Sequence, residues 1–146
     1  FYDTDAMAVV HHSNYIRWFE TGRVAYLRKY GITLGEMMED VYVFPITEVL
    51  AKYVSPGRFD DDICIETRPK ALTKAKMAFQ YRVFNKATGE LMVTGFTQNV
   101  FTHRESGKIT RLPEKYYAKL QQAMADEADW QEMQAKEAQE TASRRK

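Results

Sequence analysis

The sequence predicts one α+β domain, on three observations. A helical apolar pattern runs from about residue 14 to residue 30. Short β-rich runs broken by turn signals follow from Val41 onward. After Pro113 the pattern returns to helix and ends in a tail of Ala, Glu, Gln and Lys. One long early helix followed by several antiparallel strands indicates an α+β architecture.

Each element has a local reason. In the first helix Tyr15, Phe19, Gly22 and Tyr26 share one face, with Ile16 and Leu27 beside them. Glycine weakens a helix, but on an apolar face Gly22 lets the helix approach a sheet closely. Ser13 or Asn14 suits the N-cap. Arg28 and Lys29 suit the negative end of the helix dipole, and Gly31 the C-cap. Thr33-x-x-Glu36 reads as a capping box opening a short helix through about Glu39.

Phe44 to Val54 reads as a strand, with Pro45 marking an edge or a start. Ser55-Pro56-Gly57 is a turn signal, and Ile63 to Arg68 alternates as a strand. Residues 76 to 84 and 91 to 102 read as two further strands around the Asn85–Gly89 hairpin connection. Val93, Gly95, Thr97 and Asn99 fall on one face of the second. The polar members of that row line a pocket or a subunit interface, or are simply exposed. Ser106-Gly107 is another turn, and Lys108 to Arg111 a brief extension. Pro113 suits the first position of a helix from about Glu114. Beyond Asp126 the tail has few core candidates besides Trp130 and Met133. The expected division is a domain over 1–125 and an extension over 126–146, helical or disordered. The chain opens at Phe1 without a Met, which places its first residues inside a strand.

Composition narrows the function classes. A chain of 146 residues is long enough for one core, and 45% hydrophobic content fits a globular fold. A net charge of +1 gives no global case for nucleic acid, so attraction to an anionic ligand must be local. The single Cys64 excludes an intrachain disulfide and fits a reducing compartment. Its alternation with Ile63 and Ile65 makes it a strand residue rather than a nucleophile. No apolar run is long enough to span a membrane and no signal peptide is visible, so a cytoplasmic location is expected. Phosphate-loop, dinucleotide and zinc motifs are absent. Asp60-Asp61-Asp62 has no complementary His or Cys spacing and reads as a solvated turn. No metal or cofactor is expected.

The chemistry concentrates in Phe1–Tyr15, where Asp3, Asp5, His11 and His12 precede a helix N-terminus. The first N–H groups of a helix lack intrahelical partners and lie at the positive end of its dipole. Such an end holds a developing oxyanion, and a carboxylate beside it attacks a carbonyl or activates water. The bland alternative is a pair of turn aspartates with a loop histidine. Glu20 and Arg23, at i,i+3, read as an ion pair.

Tyr2-Asp3-Thr4-Asp5, then Val9-Val10-x-His12-x-Asn14-Tyr15, then Phe19-Glu20-x-x-Arg23 resembles the hotdog-fold acyl-CoA thioesterases. The nearest classes are the 4-hydroxybenzoyl-CoA and Tol–Pal-associated thioesterases. Phe59-Asp60-Asp61, Gly107-Lys108 and Leu112-Pro113 extend the resemblance over roughly residues 1 to 120. Ala8 stands where the family commonly has Gly. The resemblance implies an antiparallel sheet wrapped around one long central helix, a C-terminal helical extension, and a homodimer or homotetramer with sites between subunits.

It also implies hydrolysis of an acyl-CoA to free acid and coenzyme A. Asp5 is then nucleophile or general base, the backbone N–H of position 12 is the carbonyl donor, and the His12 imidazole assists. Another branch of the fold uses a helical glutamate, which makes Glu20 the alternative carboxylate. Lys74 matches a basic coenzyme-binding position, with Lys70 and Lys76 nearby and Arg111 as a later match. The rivals are a non-catalytic acyl-CoA-binding module and a thioesterase acting on acyl carrier protein. A hotdog dehydratase would carry a hydratase motif that this sequence lacks.

Overall fold

The computed structural model describes residues 13–55 and 62–144. Helix α1 spans Ser13–Lys29 and is followed by α2, Leu34–Glu39. Six strands come next: β1 Tyr42–Val43, β2 Ile46–Tyr53, β3 Ile63–Leu72, β4 Lys76–Asn85, β5 Leu91–Val100 and β6 Thr102–His103. Helix α3 spans Glu114–Arg144. Four strands form an antiparallel sheet in the order β2-β5-β4-β3, and β1 pairs with β6 in a small second sheet. The main sheet lies over α1, which is the α+β hotdog architecture the resemblance implies.

The helix–sheet contact is close because two glycines make room. A Cβ on Gly95 of β5 would overlap the Phe19 ring, and a Cβ on Gly22 of α1 would overlap the Thr67 hydroxyl of β3. Phe19 is fully buried and stacks on Tyr81, with ring centroids 4.5 Å apart. Tyr26 meets Phe79 edge-on at 5.8 Å. The apolar face read from helical spacing is therefore the one that meets the sheet.

The local signals translate into hydrogen bonds. Ile32 N–H donates to Leu27 O and Gly31 N–H to Arg28 O as Gly31 turns left-handed at φ +76°, ending α1. The Thr33 hydroxyl accepts from Glu36 N–H at the start of α2. Strand β3 continues past the expected end at Arg68, through a bulge between Pro69 and Ala71. It pairs with β4 on one side only among the described residues, and an edge strand tolerates the missing proline N–H. The expected extension near Lys108 is a single bridge between Thr102 and Ile109.

Helix α3 passes through residue 125 without a break, so the expected division falls inside one helix. Tyr116, Leu120, Ala123 and Glu127 form its buried stripe. Arg68 of β3 bonds Glu127 at 3.1 Å, and its guanidinium lies 3.1 Å from the Trp130 ring centroid. Glu66 gathers Arg68 at 3.2 Å and Arg82 at 2.8 Å. Burial would raise the Glu66 carboxyl, but the two guanidiniums outweigh it and hold it below its ordinary value. The first turn of the presumptive tail thus belongs to the sheet edge, whereas the turns beyond it are exposed.

This division has a measurable consequence. A chain ending after Ala125 loses Glu127 and Trp130 and leaves Arg68 half-paired. It is expected to be less stable by about 2 kcal/mol in urea unfolding, combining a lost cation–π contact with a broken, mostly buried ion pair. A chain ending after Gln134 is expected to match the full chain within about 0.5 kcal/mol. Equal stability of both truncations would show that the Arg68 contacts contribute nothing.

Candidate active site at the start of the long helix

Helix α1 begins at Ser13, one residue ahead of the expected start. Tyr15, in its first turn, is 4% exposed and lies 6.1 Å from Tyr53 at the end of β2. Trp18 is 5.4 Å from Tyr15 on the next turn. Burial, then the neighbouring Tyr53, pushes the Tyr15 phenol up to about 12, so it is a neutral wall and not a base. The start of α1 is therefore fixed in an aromatic setting at the β2 edge of the sheet. The first N–H groups of any helix lack intrahelical partners and lie at the positive end of its dipole, which is the feature the sequence expectation relies on.

Asp5 and His12, the principal candidates, lie outside the described residues, as does Asp3. Glu20 is exposed on α1. The expected Glu20–Arg23 ion pair does not form. Arg23 is 4% exposed and follows Phe19 by four residues, so it turns inward with the apolar face while Glu20 points out. That position at i+4 of Phe19 and i−3 of Tyr26 was the available signal for a buried arginine.

The basic candidates divide into groups. Lys74 occupies the β3–β4 turn, where the Thr73 hydroxyl accepts from Ala75 and Lys76 N–H. The turn is docked by Leu112 N–H donating to Lys74 O at 2.8 Å and Phe101 N–H donating to Ala75 O at 2.9 Å. This brings Lys74, Lys76 and Arg111 to one end of the sheet, all exposed. Lys74 Nζ lies 5.7 Å from the Tyr117 ring. Lys70 stands apart, with Nζ 5.5 Å from the Phe96 ring on the sheet face away from α1.

The register separates this basic end from the start of α1. Val100 pairs with Lys76 at one end of β5 and Val93 pairs with Tyr53 at the other. At strand rise the two ends are roughly 23 Å apart. One protomer does not bring its own Lys74 to its own α1 N-terminus.

Other features do not compete. Clefts of about 340 and 400 Å³ flank Trp130, but Glu66, Arg68, Arg82 and Glu127 in their walls pair with one another. The Thr97 and Asn99 side chains are fully buried, so they line neither a solvent pocket nor an exposed face. Tyr81 and Thr97 share a 2.7 Å hydrogen bond, and Asn99 Nδ2 donates to Phe44 O at 2.9 Å. Met77 and Phe79 are core residues. Among the described residues, no three His, Cys, Asp or Glu side chains converge as metal ligands, and no helix is long and apolar enough to cross a membrane.

A family model described as the thioesterase-like superfamily matches residues 1–120. A putative acyl-CoA thioesterase, YneP of Bacillus subtilis, is 26% identical over 106 residues, covering 73% of this chain and 76% of that one. The acyl-CoA thioester hydrolase YbgC of Escherichia coli is 29% identical over 83 residues, 57% of this chain and 62% of that one. Among solved structures, a DHNA-CoA thioesterase from Staphylococcus aureus superposes with a TM-score of 0.77 at 27% identity. That superposition covers 85% of this chain and 82% of the other.

Proposed function

Because the chain belongs to the thioesterase-like superfamily, we propose that it is an acyl-CoA thioester hydrolase. The observation that carries the proposal is the family match over residues 1–120, which includes the whole Asp5–His12 motif. Activities named for its relatives support the same chemistry. The His12 side chain favours the Tol–Pal-associated branch over the hydroxybenzoyl branch, which has Tyr there. The acyl-CoA thioester carbonyl sits at the start of α1, its oxygen accepting from the backbone N–H of position 12. Asp5 attacks the carbonyl carbon to give a mixed anhydride, or takes the proton from an attacking water. Either route expels coenzyme A thiolate; on the first, water then hydrolyses the anhydride to the free acid and restores Asp5, and on the second the attacking water gives the free acid directly. Glu20 is the alternative carboxylate.

The working form is a homodimer or a pair of dimers. The outer edge of β2 has no strand partner among the described residues, and Leu50 and Tyr53 there are 58% and 46% exposed. Unpaired edges with apolar side chains favour pairing with a second copy. Two β2 strands joined antiparallel about a two-fold axis bring the basic end of one sheet toward the α1 start of the other. Lys74, Lys76 and Arg111 then hold the coenzyme phosphates across the subunit boundary; Lys70 is more remote. The location is cytoplasmic, consistent with a coenzyme A substrate.

Product analysis tests the reaction. An acyl-CoA is expected to yield free acid and coenzyme A in equal amounts. Turnover confined to acyl carrier protein thioesters would replace coenzyme A as the substrate handle. Lys74→Glu is expected to raise KM for acyl-CoA about tenfold with kcat unchanged, the pattern of lost uniform binding. The same variant is expected to treat an acyl-pantetheine, which lacks the nucleotide phosphates, as wild type does. An unchanged KM for acyl-CoA would remove the basic turn from the site.

A further inference from the structure

Arg23 places a charge on the buried, apolar face of α1. Arg23 is 4% exposed, and its Nε and Nη1 donors have no hydrogen-bond partner. Buried donors are nearly always paired, so two unpartnered donors on one guanidinium call for an explanation. Among the described residues, no carboxylate forms an ion pair with it. Tyr81 of β4 lies close enough for the guanidinium to act on its hydroxyl, which is already bonded to Thr97 of β5. Thr67 of β3 touches the adjoining Gly22 and is itself without a partner at Oγ1. Glu127 is the buried carboxylate among the described residues, and it is taken by Arg68. Glu20, on the same helix, faces solvent.

An unpaired buried cation destabilises a folded chain, and replacing it with an apolar side chain of similar size is commonly neutral or stabilising. Such a residue is explained by what its charge does elsewhere. From Arg23 to Ser13 is about 15 Å along the helix at 1.5 Å per residue. Helical side chains lean toward the N-terminus, which brings the guanidinium to roughly 10 Å from the start of α1. Phe19, Tyr81 and Tyr15 fill this part of the core, so solvent screens the charge weakly.

We propose that the buried charge of Arg23 reinforces the α1 dipole and stabilises the anion that develops at the start of the helix during thioester cleavage. Arg23 does not touch the thioester; it is a positioning residue acting through the helix terminus. The inference rests on the thioesterase reading above. It predicts that stability and activity move in opposite directions at this position.

The test compares wild type, Arg23→Met and Arg23→Lys by thermal melting and by kcat and KM on one acyl-CoA. Arg23→Met is expected to melt at or above the wild-type temperature and to lose about tenfold in kcat, with KM unchanged. Arg23→Lys, which keeps the charge, is expected to stay within about threefold of wild-type kcat. Wild-type kcat in folded Arg23→Met would overturn the proposal, as would an equal loss in Arg23→Lys. If Arg23→Met does not fold, Arg23→Gln takes its place, and failure of both would show a structural role instead. Absence of wild-type turnover would overturn the thioesterase reading; a normal wild-type rate with an unaffected Met variant overturns the Arg23 proposal alone.

Discussion

Gly95→Ala is expected to lower the free energy of unfolding by about 3 kcal/mol, although it adds one methyl group. That methyl would project into the Phe19 ring, close to Cζ, Cε1 and Cε2 together. The ring cannot retreat, because it is fully buried and stacked on Tyr81. Relief requires α1 to lift from the sheet, which also disturbs the seat of Gly22 on Thr67 and moves the start of α1. Activity is therefore expected to fall with stability. A double-mutant cycle isolates the cause. Phe19→Leu alone costs about 1–2 kcal/mol, and in the Gly95→Ala background it is expected to recover part of the loss. Urea unfolding of the four proteins measures the coupling. A Gly95→Ala cost under about 0.5 kcal/mol would mean that helix and sheet are not in such close contact.

Asp5→Asn is expected to lower kcat by roughly 10² to 10⁴, the range that a positioned general base contributes. Asparagine preserves the shape of the side chain but supplies neither an ionised nucleophile nor a proton acceptor of comparable strength. The melting temperature is expected to stay at the wild-type value, which separates lost chemistry from lost fold. His12→Ala is expected to lose less, because the backbone N–H of position 12 remains to hold the oxyanion. A larger loss in His12→Ala than in Asp5→Asn would reverse the two roles. Full turnover in folded Asp5→Asn would transfer the carboxylate role to Glu20.

Much of the fold was legible because its causes are local. The spacing of Tyr15, Phe19, Gly22 and Tyr26 identified the face of α1 that meets the sheet, and Gly22 announced the close approach. Thr33 and Gly31 marked a helix start and a helix end through hydrogen bonds within a few residues of themselves. Asn85–Gly89 marked the β4–β5 hairpin for the same reason. What was not legible depended on partners distant in sequence. Trp130 looked like a stray aromatic in a polar tail until β3 brought Arg68 beneath it. The alternating run reads as a strand only to Arg68, yet β3 continues through Pro69, because an edge position makes proline harmless there. The site is legible in a different way: Asp5 and His12 stand out by motif, while the burial of Arg23 was signalled only by its spacing from Phe19 and Tyr26 on the apolar face. Local pairing rules assigned Arg23 to Glu20, and the apolar face of the helix prevailed.

Initial rates of thiol release from short-chain, long-chain and aromatic acyl-CoAs, with equilibrium binding measured alongside on the same full chain, test the central claim most directly. The account predicts saturable release of coenzyme A from at least one of these acyl classes. Saturable binding of acyl-CoA with no thiol released from any of them would contradict it and make the protein an acyl-CoA-binding module.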